Sequence, residues 1–270
     1  MLDVDEIDGL FELHTTGEMF KTNKLILATG QKNGIPAKLI QKFNLNSTPR
    51  ALQLGVRVVD EMNSNYEEII KANYDFKFVK SYDWEGVKVR VRTFCCNSGN
   101  AHTCAENAPE GFTCFNGHAY KTPDPTNNTV NYGIICEVVG LDKYKDKESH
   151  IELMKQVNTI NTWEHDNFTN GKPIPKRKLN DGFEHLKGLY PDEILKSLTD
   201  FVIELNNLID LDKAYYLYPE VKLSGLIPDL NYKTFETSKT NLYMIGDCSV
   251  TRGIIKSSIT GIMFAENLEV

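Results

Sequence analysis

Apolar positions change period several times along the chain. Leu10-Phe11-Glu12-Leu13-His14 and the stretch Met19 to Leu27 flank Thr16-Gly17-Glu18, which predicts two short strands about a turn. The second ends in Lys24-Leu25-Ile26-Leu27-Ala28-Thr29-Gly30, a near-continuous apolar run closed by small residues. Such a run suits a strand buried on both faces, and small residues at its end let a ligand or another chain approach the backbone. Pro36 to Phe43 predicts a short helix. From Gly55 onward Val56-Arg57-Val58-Val59, Phe76 to Val79, Val87-Lys88-Val89-Arg90-Val91-Arg92, Gly111 to Phe115 and Tyr132 to Val139 are β-branched or alternating, which predicts an antiparallel sheet. Helical spacing follows over Ser149 to Thr162 and over Pro191 to Leu208, where Ile194, Leu195, Leu198, Phe201, Val202, Leu205 and Leu208 recur on one face. Asn167 to Asp181, rich in Asn, Pro and Lys, reads as a loop between them. At the far end Leu242 to Ile245 predicts a short buried strand, then Gly246-Asp247, then a helix from Gly253 to Leu268. Ser257, Gly261 and Ala265 fall at i, i+4 and i+8 of that helix, a small-residue stripe that lets it lie close to a neighbour.

The buried-strand style of the opening thus returns at the end. The simplest organisation places residues 1–54 and 216–270 in one α/β layer and residues 55–215 in an inserted domain of antiparallel sheet plus helices, α+β overall. Of 270 residues 37 are acidic and 30 basic, a net charge of −7, which speaks against a nucleic-acid or membrane-surface footprint. The one basic run, Lys176-Arg177-Lys178, sits beside prolines and reads as a solvated loop. No stretch approaches the roughly 20 apolar residues of a spanning helix, and Met1-Leu2-Asp3-Val4-Asp5-Glu6 is acidic where a signal peptide would be basic. Six cysteines in a chain this long do not make a disulfide framework. A soluble, cytoplasmic protein is expected.

Leu25 to Gly30, Leu54-Gly55-Val56-Arg57-Val58, Val91-Arg92-Thr93-Phe94-Cys95, Asn116-Gly117-His118, Tyr218-Pro219-Glu220-Val221-Lys222 and Leu242 to Ile262 stand in this order along the chain. In that order they resemble the uncharacterised FAD-dependent dehydrogenases, flavoproteins with a two-dinucleotide-binding-domain layout. The resemblance implies a Rossmann-like FAD-binding domain formed by the two chain ends. Asp247 would meet the ribityl chain, and Thr251, Arg252, Gly253 and Ile254 would approach the flavin from the N-terminus of the last helix, where N–H groups and the dipole favour negative charge. Ala28, Thr29, Gly30 and Gly246 would flank the cofactor. Gly-Asp after a strand also reads as a turn and helix cap. One departure stands out. Such enzymes begin with G-x-G-x-x-G, and no two of the 18 glycines here are two apart. The chain therefore looks like the C-terminal part of such an enzyme, its FAD-binding domain incomplete, with a separately encoded N-terminal half or self-association expected to complete it.

Residues 95–118 hold Cys95, Cys96, His102, Cys104, Cys114 and His118. Three readings stand: a zinc site from His102, Cys104, Cys114 and His118, an active-site cysteine or histidine, or buried cysteines with a hydrogen-bonded histidine. No metal ligand is assigned. His118 is the first candidate for a proton donor and Cys95 the second, since both types titrate near neutrality. Arg57, Arg92 and Asn116 fall in the matching stretches as substrate-binding candidates, Arg57 also reading as a partner of Asp60 or Glu61. His165 is a further candidate for a cleft wall. The function implied is electron transfer between a reduced donor, NAD(P)H among the candidates, and a small organic substrate. A flavin-dependent lyase, a nucleotide- or RNA-modifying enzyme, a non-catalytic degenerate flavoprotein and a zinc-stabilised binding module are the alternatives.

Overall fold

The computed structural model describes residues 3–30, 34–49, 51–98, 101–107, 111–119, 122, 126–139, 147–222, 226–249, 251 and 253–267. It is a mixed α/β structure with several sheets and, among the described residues, five α-helices. The chain divides into two compact units, residues 1–50 with 224–270, and residues 51–223. These boundaries lie four residues from the 54/55 and eight from the 215/216 expected from the sequence. The shift has a cause: the strand Leu52–Glu61 begins just inside the second unit, and the strand Tyr215–Val221 pairs with it rather than with the chain ends.

In the first unit, β1 (Asp3–Ile7), β2 (Leu10–His14) and β3 (Met19–Thr22) make an antiparallel meander. After it come β4 (Leu25–Leu27), α1 (Ile35–Lys42) and β5 (Ser47–Pro49), then, later in the chain, β14 (Leu226–Pro228), β15 (Leu242–Met244) and α5 (Ile254–Glu266). β5 pairs with β14 antiparallel, and β4 pairs with β15 parallel. Val4, Phe11, Leu25, Leu27, Leu39, Ile40, Leu242 and Met244 form one core, so the meander and α1 cover the face of the parallel pair that carries Leu25 and Leu27. The other face carries Tyr243, whose ring meets Phe264 of α5 edge-on at 5.4 Å. α5 buries Thr260 and Phe264, while Ala265 of the expected small-residue stripe is exposed.

The second unit is built on a six-stranded antiparallel sheet. Its strands are β6 (Leu52–Glu61), β7 (Val79–Trp84), β8 (Val87–Ser98), β11 (Thr129–Val139), β12 (Arg177–Lys178) and β13 (Tyr215–Val221), in the order β12-β13-β6-β11-β8-β7. β6 is central and buried along almost its whole length, the pattern of a strand covered on both faces. Leu54, Val56 and Val58 point to the side packed by α4 (Asp192–Asn206), whose Ile194, Leu198, Phe201, Val202 and Leu205 repeat at helical spacing. Gly55, Arg57 and Val59 point to the opposite side, where the hairpin of β9 (Ala101–Asn107) and β10 (Thr113–Ala119) lies through Phe115, Val59 and Leu217. α2 (Ser64–Ala72) caps its N-terminus with Asn63, whose side chain accepts the Tyr66 N–H at 3.1 Å.

Several elements differ from their expected bounds for identifiable reasons. α3 spans Lys147–Thr169, so the expected loop begins later: Glu164 and His165 are buried and Phe168 packs on Phe115, which keeps the helix going. Phe76 and Phe78 precede β7 rather than lying in it, because the Thr93 hydroxyl takes over two of their backbone groups, donating to Phe76 O and accepting from Phe78 N–H.

Candidate functional site

The first unit brings one group of the expected residues together. β4 and β15 run in register, Leu25 against Leu242 and Leu27 against Met244, closed by Leu25 N–H to Asn241 O at 2.9 Å and Ile245 N–H to Leu27 O at 3.0 Å. Both strands therefore end at one level, where the chain enters Ala28-Thr29-Gly30 on one side and Gly246-Asp247-Cys248 on the other. Gly246 (φ 65°) and Gly253 (φ 89°) lie in the left-handed region that glycine adopts at little cost. The turn is fixed against α5: Gly246 N–H donates to Thr260 Oγ1 at 2.9 Å, and Gly246 O accepts from Ser249 Oγ at 2.6 Å and Thr251 Oγ1 at 2.9 Å. Beneath it the buried Cys248 thiol lies 3.6 Å from Thr29 Oγ1 and donates to Gly30 O at 3.6 Å. Burial pushes that thiol up, away from nucleophilic reactivity.

α5 starts after Gly253 with no side-chain cap and no acidic residue in its first turn. Its first N–H groups therefore remain available to an anion, reinforced by the positive end of the helix dipole. Ala28, Gly30, Gly246, Asp247, Gly253 and Ile254, six of the nine expected cofactor positions, line one cleft of about 550 Å³, with Ile245, Ser257 and Ser258 completing the wall. Thr29 and Thr251 stand beside it through the bonds just given. Arg252 lies outside the described residues.

The remaining expected residues lie in the second unit. Arg57 has no exposed surface. Its Nε and Nη2 donate to the two oxygens of Glu220 at 2.9 and 3.0 Å, Nη1 donates to Cys95 O and Asn131 Oδ1 at 3.1 and 3.3 Å, and Nη2 donates to Asn116 Oδ1 at 3.3 Å. All five N–H groups are thus engaged inside the protein, so Arg57 braces the ribbon to the sheet and has no donor left for a substrate. Its ion-pair partner is Glu220, not Asp60 or Glu61. Gly117 permits the close approach: a Cβ there would fall 2.1 Å from Asn131 Oδ1 and 2.7 Å from Arg57 Nη1.

Arg92 donates to Gln53 Oε1 at 3.5 Å and lies over Phe94. Cys95 is exposed, with φ 48° at the bulge where β8 loses register with β11 between Asn131 and Gly133. His118 is half-exposed, its Nε2 2.7 Å from Glu106 Oε1. Asn116 Nδ2 donates to the other oxygen of Glu106 at 3.1 Å. Cys104 Sγ is 3.7 Å from Glu106 Oε1, and burial followed by the Glu106 charge pushes its thiol up to about 11. Burial raises the Cys114 thiol to about 12 and pushes those of Cys96 and Cys136 up as well. His165 is buried between Asn158, Asn161 and Tyr218 O, and burial lowers its pKa, so it is a neutral, structural imidazole.

Glu106 and Glu220 escaped the sequence reading. Glu106 carried a legible signal, since His102, Cys104 and Glu106 at period two share one face of a strand. Glu220 stands in one of the matching stretches, but nothing local names its role, because its partner is 163 residues away.

No family model and no curated protein matches the sequence. Among solved structures, that of tetracycline destructase Tet(51) overlaps 91% of this chain and 43% of its own, at 11% identity and a TM-score of 0.24. The chain thus spans less than half the length of that protein. Among the described residues no helix is long and apolar enough to cross a membrane.

Proposed function

We propose that the first unit holds FAD and that the chain is a flavin-dependent oxidoreductase, or the C-terminal portion of one. The observation that supports this most is the cleft at the carboxyl ends of β4 and β15, lined by six of the residues that the family resemblance assigns to the cofactor. Ligands of parallel α/β sheets sit beyond the carboxyl ends of the strands, and the N-terminus of the following helix suits a phosphate or a flavin carbonyl. The residues fit such a group: a Cβ at Gly30 or Gly253 would meet nothing within 4 Å, so backbone is open to a ligand there. In this reading Asp247 accepts from a ribityl hydroxyl. Ala28 and Gly30 keep the opposite wall free of side chains, and the α5 N-terminus orients the anionic or carbonyl edge. Bound FAD would supply the electron and hydride chemistry, while the chain positions it and excludes water with Ile245 and Ile254. NAD(P)H as donor and a small organic substrate belong to the same reading, as does a cytoplasmic setting for six free thiols.

A second polypeptide carrying the strand, G-x-G-x-x-G turn and helix belongs to it too. Among the described residues no strand pairs with the other edge of β4, and Ile255, Ile259 and Ile262 of α5 are exposed, surfaces such a segment would cover. Fluorescence titration of the purified chain with FAD tests the assignment. Saturable binding is expected, and Asp247→Ala, which removes one hydrogen bond to a charged acceptor worth about 1.5–3 kcal/mol, should weaken it at least tenfold. Binding indifferent to that substitution refutes the placement.

A further inference from the structure

We propose that Cys104, Glu106 and His118 form a zinc site on one face of the β9–β10 ribbon, with three protein ligands and water in the fourth position. The site is in the second unit and does not depend on the flavin reading.

The strand period and register assemble it. Cys104 and Glu106 are two apart on β9 and share a face. In the antiparallel register Cys104 stands opposite Asn116 and His102 opposite His118, so His118 is on that same face. Glu106 and His118 lean toward each other over the Cys104–Asn116 pair, and their ligand atoms with Cys104 Sγ all lie within 4.8 Å of one another. Ligand atoms around tetrahedral zinc stand roughly 3 to 4 Å apart, given bonds of about 2.3 Å to sulfur and about 2.0–2.2 Å to nitrogen and oxygen. The 3.7 Å from Cys104 Sγ to Glu106 Oε1 already matches. The 2.7 Å from Glu106 to His118 is a hydrogen bond that opens slightly when the ion enters.

The ligand set is also held and charge-matched. Asn116 Nδ2 fixes Glu106 Oε2 and so aims Oε1 at the other two groups, while Asn116 Oδ1 is held by buried Arg57. Outer partners of this kind orient metal ligands. One thiolate, one carboxylate and one neutral imidazole balance a dication, with the thiol proton leaving as the metal binds. Thiolate with imidazole selects zinc over the hard cations magnesium and calcium. The side chains of His118 and Glu106 are 45% and 33% exposed, which gives the ion an entry path and solvent a fourth position. Bound there, the ion ties β9 to β10, a cross-link useful to a two-stranded ribbon.

The test titrates the reduced, metal-free full chain with Co²⁺ as a spectroscopic probe and then displaces it with Zn²⁺. One equivalent should give a sulfur-to-cobalt charge-transfer band and tetrahedral visible bands, bleached by zinc. Cys104→Ser should abolish the charge-transfer band, His118→Gln should weaken binding at least tenfold, and Cys95→Ser should leave both unchanged. A band that survives Cys104→Ser, or its absence from the wild type, overturns the proposal. X-ray absorption of the zinc-loaded wild type needs no variant: one sulfur with three nitrogen or oxygen ligands is expected, and no sulfur or two sulfurs would contradict it.

Discussion

Arg57 and Glu220 show how one buried pair organises a surface. The guanidinium, at the centre of a sheet, is stabilised only because five acceptors surround it, and two of those acceptors belong to the ribbon and the bulge. Removing one partner of such a pair leaves a buried charge unmatched, at a cost of about 3–5 kcal/mol. Glu220→Gln should therefore lower the unfolding free energy measured in urea by that order, whereas Arg92→Gln, at a half-buried position, should change it little. His165 gives the pH dependence. Burial lowers its folded pKa, so as pH falls below about 6.5 the unfolded chain binds a proton that the native chain resists. Its contribution is present above that pH and is lost as pH falls toward the folded value. The melting temperature should drop between pH 7 and pH 5, and drop less in His165→Gln; equal drops would contradict the assignment. At this scale residue types were legible but partners were not. Arg57 could be singled out as unusual within a strand, yet only the tertiary register names Glu220.

Elements were more legible than residues, because their signals are local. The α4 face and the strand–Gly-Asp–helix run ending the chain follow directly from periodicity and from glycine, and both stand close to their expected bounds. β13 is different: Tyr215-Tyr216-Leu217-Tyr218-Pro219 neither alternates cleanly nor permits uninterrupted pairing, and its register with β6 shifts between Leu217 and Glu220 at the proline. β9 was hidden because its exposed face carries His, Cys and Glu rather than a polar–apolar alternation. The glycines of the sheet make a testable point. A Cβ at Gly55 would fall 1.9 Å from Ile134 O of β11, a backbone atom that cannot move without disrupting the ladder. Gly55→Ala should cost about 3 kcal/mol or more, as severe overpacking does, read by urea unfolding, while Gly17→Ala, where an added Cβ meets nothing within 4 Å, should cost little.

For the whole molecule, the two units have separate cores, and chemistry-bearing residues fall in both. The return of the buried-strand style at the chain's end made the discontinuous organisation readable from sequence. The placement of the boundaries was not, since it depends on which sheet β13 joins. The cleft proposed for FAD belongs wholly to the first unit and the proposed zinc site wholly to the second, so each can be tested without the other. The most direct test of the flavin assignment is hydrogen–deuterium exchange of the full chain with and without saturating FAD. Slower exchange is predicted in peptides covering Ala28–Gly30 and Ile254–Ser258, with the β9–β10 ribbon unchanged. Exchange that is unaltered at the α5 N-terminus, or slowed only within residues 51–223, would contradict it.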